Sequence, residues 1–297
     1  MPNFYVLDVG HGNSSVLVDT GGTVVVDAGL KTGLLDFLTS HEIHEIDALL
    51  LSHADRDHIG GAMALILSDE IKIKSVYLNS DSTKNSNAWD DLLWSLKNSH
   101  NSDELIFEPS LTPHLNGKLN QGSINIEILA PNQYIAAKSP GSKDNKGRKL
   151  TTNSISAVIR FSLEENPFAL LPGDIDQVGL ENLLEEQPDI KAWLLFFPHH
   201  GGRPGAADVK KFTNILCGEV QPQVVVFSIG ENPKNFPNRD VVDCVEQALG
   251  RVCMLTTRSS EVFIDFINDS KNKSHKDCVG NVTLAVEGFP PEISFSL

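Results

Sequence analysis

Leu51-Ser52-His53-Ala54-Asp55-Arg56-Asp57-His58-Ile59-Gly60-Gly61 decides how this chain is read. Two histidines and two aspartates, all side chains that bind divalent metals, fall between positions 53 and 58. The apolar run Ile46, Ala48, Leu49, Leu50, Leu51 precedes them with strand character, and Ile59, Met63, Leu65, Ile66 and Leu67 follow with helix character. Ligand-type groups gathered at a strand end repel one another or go unsatisfied, and a doubly charged cation resolves both problems. A plain solvated turn has no use for this composition at this spacing. His53, Asp55, Asp57 and His58 are therefore candidate metal ligands.

Four other regions end apolar runs with ligand-type residues. Asp174 follows Leu170-Leu171-Pro172-Gly173, and His199 and His200 follow Leu194-Leu195-Phe196-Phe197-Pro198. Asp8 and Asp27 end the runs Tyr5–Leu7 and Val24–Val26. Sites collect at strand ends because loops converge there on a rigid scaffold. Asp174 is placed to bridge two ions. His199 and His200, being adjacent, point in different directions, so one ligates while the other orients a group or touches substrate. The working assignment takes His199 as the ligand and His200, with Asp57 and His58, as catalytic. Asp8 is read as accepting amides of its own turn. The turn Gly10-His11-Gly12-Asn13 is open enough for backbone amides to face an anion.

The remaining pattern is strand–helix alternation in both halves. Strands are predicted over Phe4–Val9, Ser15–Val18, Thr23–Val26, Ile46–Ser52, Ile73–Leu78 and Ser123–Leu129. The second half adds strands over Ile155–Ser162, Phe168–Leu171, Ala192–Phe197, Val224–Ser228, Val252–Leu255, Glu261–Ile267 and Val282–Val286. Helices are predicted over Lys31–Ser40, Gly60–Ser68, Ala88–Lys97, Gln177–Glu186, Lys210–Leu216 and Asp240–Leu249. In Ala88–Lys97 the residues Trp89, Leu92, Leu93 and Leu96 share one face, and the tryptophans of this helix are read as core anchors. Asn268–Asp277 reads as a polar, flexible stretch. No linker divides the chain, which reads as one domain over residues 1–297.

With 297 residues, 40% of them hydrophobic, the chain is long enough to bury a large core. No apolar run approaches the roughly 20 residues of a membrane span, and Met1-Pro2-Asn3-Phe4-Tyr5-Val6 reads as a first strand rather than a leader. Cys217, Cys244, Cys253 and Cys278 show no paired spacing and read as reduced cysteines of a cytoplasmic protein. A net charge of −15 excludes capture of nucleic acid by bulk electrostatics. A polyanionic substrate needs a local field, and Lys138, Lys143, Lys146, Arg148 and Lys149 supply the one basic patch. Around Asp144–Lys149 it reads as a mobile loop, or as a lid over a phosphate-bearing substrate.

These segments together resemble the metallo-β-lactamase superfamily, most closely the hydrolase domain of the bacterial competence (DNA-uptake channel) protein. The resemblance is carried by Leu7-Asp8-Val9-Gly10-His11-Gly12-Asn13-Ser14, Val26-Asp27-Ala28-Gly29, the His53–His58 run, Asn153-Ser154, Leu171-Pro172-Gly173-Asp174 and Pro198-His199-His200-Gly201. It implies an α/β fold, the four-layered αβ/βα sandwich, with metals at one edge of the two sheets. It implies His53, Asp55, Asp57, His58, Asp174 and one of His199 and His200 as ligands, with Asp57 also holding the attacking water. It implies one or two ions, Zn²⁺ or Mn²⁺, and hydrolysis by metal-activated water. Asp55 stands where the broad superfamily has histidine, a harder ligand that admits Mn²⁺ beside Zn²⁺. Asn13 replaces an aspartate, Asn153-Ser154 replaces a histidine region, and Asn235-Phe236-Pro237-Asn238-Arg239 lacks the histidine that the subfamily shows late in the chain. The leading expectation is a phosphodiesterase or nuclease, with a nucleic acid or nucleotide as substrate, a protein partner delivering any polymer, and no membrane. The alternatives are an acyl ester, thioester or lactam hydrolase, and a degenerate member that only binds a partner or nucleotide.

Overall fold

The computed structural model describes residues 1–187, 189–205, 208–230 and 235–296. The alternating runs near the start fold as β1 (Asn3–Val6), β2 (Ser15–Asp19) and β3 (Gly22–Val26), antiparallel in sequence. Asp19 pairs with Gly22, so Thr20-Gly21 forms a two-residue hairpin turn. Helix α1 (Gly33–Ser40) buries Leu34, Phe37 and Leu38 and returns the chain to β4 (Glu45–Ile46) and β5 (Ala48–Leu51). β5 lies parallel to β3 with Val26 opposite Leu50. The Leu51–Gly61 run then leads from the end of β5 through the short helix α2 (Arg56–Ile59) to α3 (Ala62–Ile66).

Next come β6 (Lys72–Ile73), β7 (Ser75–Leu78), α4 (Asn87–Asn101) and β8 (Ile106–Glu108). β9 (Ile124–Ala130), α5 (Gln133–Lys138), β10 (Val158–Leu163) and β11 (Asn166–Leu171) open the second half. It continues through α6 (Gln177–Glu186), β12 (Leu194–Phe196), α7 (Val209–Val220) and β13 (Val224–Phe227). It ends with α8 (Arg239–Leu249), β14 (Cys253–Thr256), α9 (Glu261–Asp269), β15 (Asn281–Ala285) and β16 (Glu292–Ser296).

The strands form an eight-stranded sheet of order β16-β15-β1-β2-β3-β5-β7-β8 and a six-stranded sheet of order β14-β13-β12-β11-β10-β9. β4 and β6 make a separate two-stranded ladder. The period of two along each strand builds the layers. Val24, Val26 and Leu50 face inward and meet Ile126, Phe161, Phe168 and Val226 of the other sheet in one core. Phe4 anchors it with ring centroids 5.0 Å from Phe161 and 5.8 Å from Phe168. Val25, Leu49 and Leu51 point the other way, into a cluster with Leu34 and Leu38 of α1, Leu65 of α3, and Trp89, Leu92 and Leu96 of α4. Leu170, Leu195 and Val225 do the same toward α6, α7, α8 and α9. Helix, sheet, sheet, helix is the four-layered αβ/βα sandwich.

Four expectations are corrected. Glu261–Ile267 is not a strand but lies in α9. Its aromatic and β-branched content suggests a strand, yet Phe263 and Phe266, three apart, share the buried face, and the Ser260 hydroxyl caps the end by accepting the Phe263 amide. Trp94 is no core anchor: α4 turns it outward, 67% exposed, while Trp89 is 3% exposed. Asn268–Asp277 is not a free loop, because His275 is buried and its Nδ1 accepts the Met254 amide. Asp144–Lys149 is no mobile lid either. Asp144 is buried and takes the amides of Lys146 and Arg148, and Arg148 extends to Glu181 and Asn182 of α6. Among the described residues no helix is long and apolar enough to cross a membrane.

Candidate metal centre

The site lies where the loops after β3, β5, β11 and β12 meet. Asp57 and His58, carried on α2, converge with Asp174 and His200 so that one ligand atom from each lies within 4.8 Å of every other. The two halves of the chain are joined here: His58 Nε2 is 3.5 Å from Asp174 Oδ1, and His200 Nε2 is 3.2 Å from Asp57 Oδ2.

Backbone strain places the last pair. His199 and His200 both take left-handed conformations, φ 55° each, which side-chain-bearing residues avoid at a cost of about 1–2 kcal/mol apiece. The consecutive reversals fan the two imidazoles apart. His200 Nδ1 donates to the Ser228 carbonyl at 2.7 Å, leaving Nε2 to face Asp57. His199 turns the other way, its Nε2 donating to the Ile175 carbonyl at 3.2 Å and its Nδ1 3.6 Å from Asp174 Oδ2. Its backbone amide donates to Asp174 Oδ1 at 2.9 Å. His199 thus props Asp174, and His200 stands in the four-residue cluster.

Asp27 organises the other side. It is fully buried in a left-handed conformation (φ 60°) and accepts from the Ser52 amide (2.7 Å), the Ser52 hydroxyl (2.9 Å) and His58 Nδ1 (2.7 Å). Because the Ser52 proton is committed to Asp27, the Ser52 oxygen accepts from His53 Nδ1 at 3.0 Å. One carboxylate therefore fixes the tautomers of two histidines, and both present Nε2 inward. Those two Nε2 atoms are buried and have no hydrogen-bond partner among the described residues. The sequence marks Asp27 only as a strand-end aspartate; this orienting role needed the fold.

Electrostatics follow the geometry. Burial opposes the charge on Asp174 and on Asp57, but the neighbouring imidazoles outweigh it and hold both carboxyls well below the usual carboxylate range. Burial likewise opposes protonation of His58, yet Asp27 and Asp174 raise its pKa well above the ordinary value. The orphaned buried Nε2 of His58 beside two ionised carboxylates fits a divalent cation, which would take the place of the protons. Two nitrogen and two oxygen donors suit Zn²⁺ or Mn²⁺.

Asp55 lies on the rim. Its Oδ1 receives the Lys84 ammonium and its Oδ2 is 3.6 Å from His53 Nε2. Burial opposes its ionisation, but His53 and Lys84 bring its pKa down to about 2. His11 adds a further imidazole that the sequence marks only through its open turn. Its Nε2 is 3.6 Å from Asp57 Oδ2, and its ring lies 4.5 Å from His200 and 5.9 Å from Phe236. Gly12 allows this approach: at φ +145° an added Cβ would meet the Asp57 carbonyl oxygen at 2.4 Å. Asp8 accepts the Gly10 amide, as expected of it, and also pairs with Arg258 at 2.7 Å.

A groove of about 570 Å³ opens beside the centre, lined by Asp55, Lys149, Thr151, Thr152 and Asn153. Of the basic patch, Arg148 and Lys146 are neutralised by Asp144, Glu181 and Glu185, leaving Lys149 as the cation of the groove.

The comparisons with known proteins bear on the fold. Residues 7–100 match the model of the Metallo-beta-lactamase superfamily. ComE operon protein 3 of Bacillus subtilis (strain 168) is 26% identical over 270 residues, 83% of this chain and 31% of that protein. Recombination protein 2 of Haemophilus influenzae is 25% identical over 274 residues, 89% of this chain and 29% of that protein. The chain thus spans about a third of the length of these relatives. Among solved structures, the metallo-beta-lactamase fold protein YhfI from Bacillus subtilis superposes with a TM-score of 0.55 at 12% identity, covering 88% of this chain and 98% of YhfI. Tm1679, described as a metal-dependent hydrolase of the beta-lactamase superfamily, gives 0.53 at 16% identity, covering 86% and 96%. The fold is the metallo-β-lactamase fold. Residues 7–100 are similar to the metallo-β-lactamase superfamily, and the chain is similar to part of ComE operon protein 3.

Proposed function

We propose that this chain is a metal-dependent hydrolase of phosphodiesters, with Asp57, His58, Asp174 and His200 holding a divalent ion, Zn²⁺ or Mn²⁺. The convergence of those four side chains, with the buried and unpartnered Nε2 of His58 among them, carries the reading. His200 replaces His199 as the ligand of the pair, because His199 Nε2 is engaged by the Ile175 carbonyl. His53 and Asp55 flank the ion rather than joining its donor set.

The ion, when bound, supplies a lowered pKa for water and polarisation of the scissile bond. The rest falls to the protein. Asp27 and the Ser228 carbonyl hold the Nδ1 protons of His58 and His200, so each Nε2 is available to the centre. Asp57, kept ionised, is the acceptor that orients the attacking water. Lys149 is placed in the groove to meet a phosphate oxygen.

The name of the Haemophilus relative, Recombination protein 2, supports a nucleic-acid or nucleotide substrate. The charge of −15 favours a small nucleotide, or a strand delivered by a partner protein, over capture of long duplexes. The test is bis(4-nitrophenyl) phosphate against 4-nitrophenyl acetate, each with Mn²⁺ or Zn²⁺. Metal-dependent release from the phosphodiester, abolished in Asp57→Ala with His58→Ala, is expected. Turnover of the acetate alone, or a rate that survives the double change, refutes the proposal.

A further inference from the structure

We propose that the centre takes a single divalent ion, and that the Lys84 ammonium is a built-in cation serving the His53–Asp55 half of the site. The inference rests on the hydrolase reading above and specifies its metal stoichiometry.

Three observations carry it. First, the donors divide. Asp57, His58, Asp174 and His200 form the convergent group, whereas His53 and Asp55 stand outside it as one imidazole and one carboxylate. Second, Asp55 already has a cation: its Oδ1 pairs with Lys84 Nζ, while its other oxygen faces His53 Nε2. Third, Lys84 is delivered by a built turn rather than by a loose side chain. Asp81, 3% exposed, accepts the Thr83 amide (2.9 Å), the Thr83 hydroxyl (2.7 Å) and the Lys84 amide (3.2 Å) through Oδ1. Its Oδ2 accepts the Thr152 hydroxyl from the other half of the chain. Asn79, five residues before Lys84, is fastened to both the amide and the carbonyl of Leu111 at 2.9 Å. The lysine is thus held against the groove wall.

Counting charge gives the consequence. Asp57 and Asp174 balance one divalent ion, and Asp55 balances one ammonium. A second divalent ion on His53 and Asp55 would share a single carboxylate with Lys84 and face its repulsion at close range. A tethered ammonium cannot be chelated or exchanged.

The test is metal content, not rate. Apoprotein is dialysed against excess Mn²⁺ or Zn²⁺, freed of loose metal, and assayed by inductively coupled plasma mass spectrometry, with titration calorimetry alongside. The wild type and Lys84→Arg are expected to hold one equivalent. Lys84→Met, which removes the charge but keeps the apolar stem, is expected to hold a second, weaker one, lost again in Lys84→Met with His53→Ala. Two equivalents in the wild type, or a single equivalent retained by Lys84→Met, overturns the inference and leaves the hydrolase reading standing. No metal on any variant overturns both.

Discussion

Replacing Asp27 by Asn isolates the orientation of the ligands from everything else in the site. Asparagine matches aspartate in shape and tolerates the left-handed backbone at this position, so the strand end keeps its conformation. Its oxygen still accepts the Ser52 amide. Its amide nitrogen, however, now faces His58 Nδ1 at 2.7 Å and can only donate. His58 must accept there and carry its proton on Nε2, the atom aimed at Asp174 and the metal position. A protonated nitrogen cannot ligate. Loss of such an outer partner lowers metal affinity by roughly 10–100-fold, or about 1.4–2.7 kcal/mol. The Ser52 hydroxyl loses its acceptor at the same atom, and loss of a buried hydrogen bond to a charged group costs the fold a further ~1.5–3 kcal/mol. Calorimetric titration of Asp27→Asn with Zn²⁺ or Mn²⁺, with circular dichroism as the folding control, measures the first figure. Affinity within about twofold of wild type in a folded variant would refute the claim that Asp27 sets the ligand tautomer.

Other consequences are separable from this one. His200→Ala removes a member of the four-residue cluster and is expected to lose tight metal binding, whereas His199→Ala leaves a weaker but saturable site; equal losses in the titration would contradict the division of labour. Asp144 is expected to give an acid-labile contribution to stability. Burial opposes its charge, but Arg148 and Lys146 outweigh it and lower its pKa below the ordinary value. With a depressed folded pKa, that contribution is complete above about pH 4 and is lost as pH falls through the folded value. Urea unfolding between about pH 2 and 5 should therefore be shallower in pH for Asp144→Asn than for wild type, and parallel curves would refute the assignment. Burial pushes the Cys217 thiol up to about 12, so it should resist alkylation in the native protein while the exposed Cys278 reacts first. Peptide mapping after timed iodoacetamide treatment checks the order.

How much of this was legible in the sequence depended on whether information was local. His53–His58 announced themselves because four ligand-type residues sat in one short run between a strand and a helix. The inner strands were legible because both faces are buried and their apolar runs are continuous, as in Ala48–Leu51. The edge strands β8 and β16 were missed because neither has a fully buried residue and the apolar signal is diluted. α9 was misread because aromatic residues favour strands until spacing is weighed against a cap. Lys84 and Asp27 could not be assigned at all: what each does depends on a partner 25 to 31 residues away. The choice between His199 and His200 turned on two backbone dihedrals that no residue type betrays.

Crystals of the protein soaked in Mn²⁺ or Zn²⁺ and measured at the absorption edge of the metal test the central assignment most directly. An anomalous peak within ligand distance of His58 Nε2, His200 Nε2, Asp57 and Asp174 is the predicted result. A map without density there, or with the ion instead bound by His199 away from His58, would contradict it.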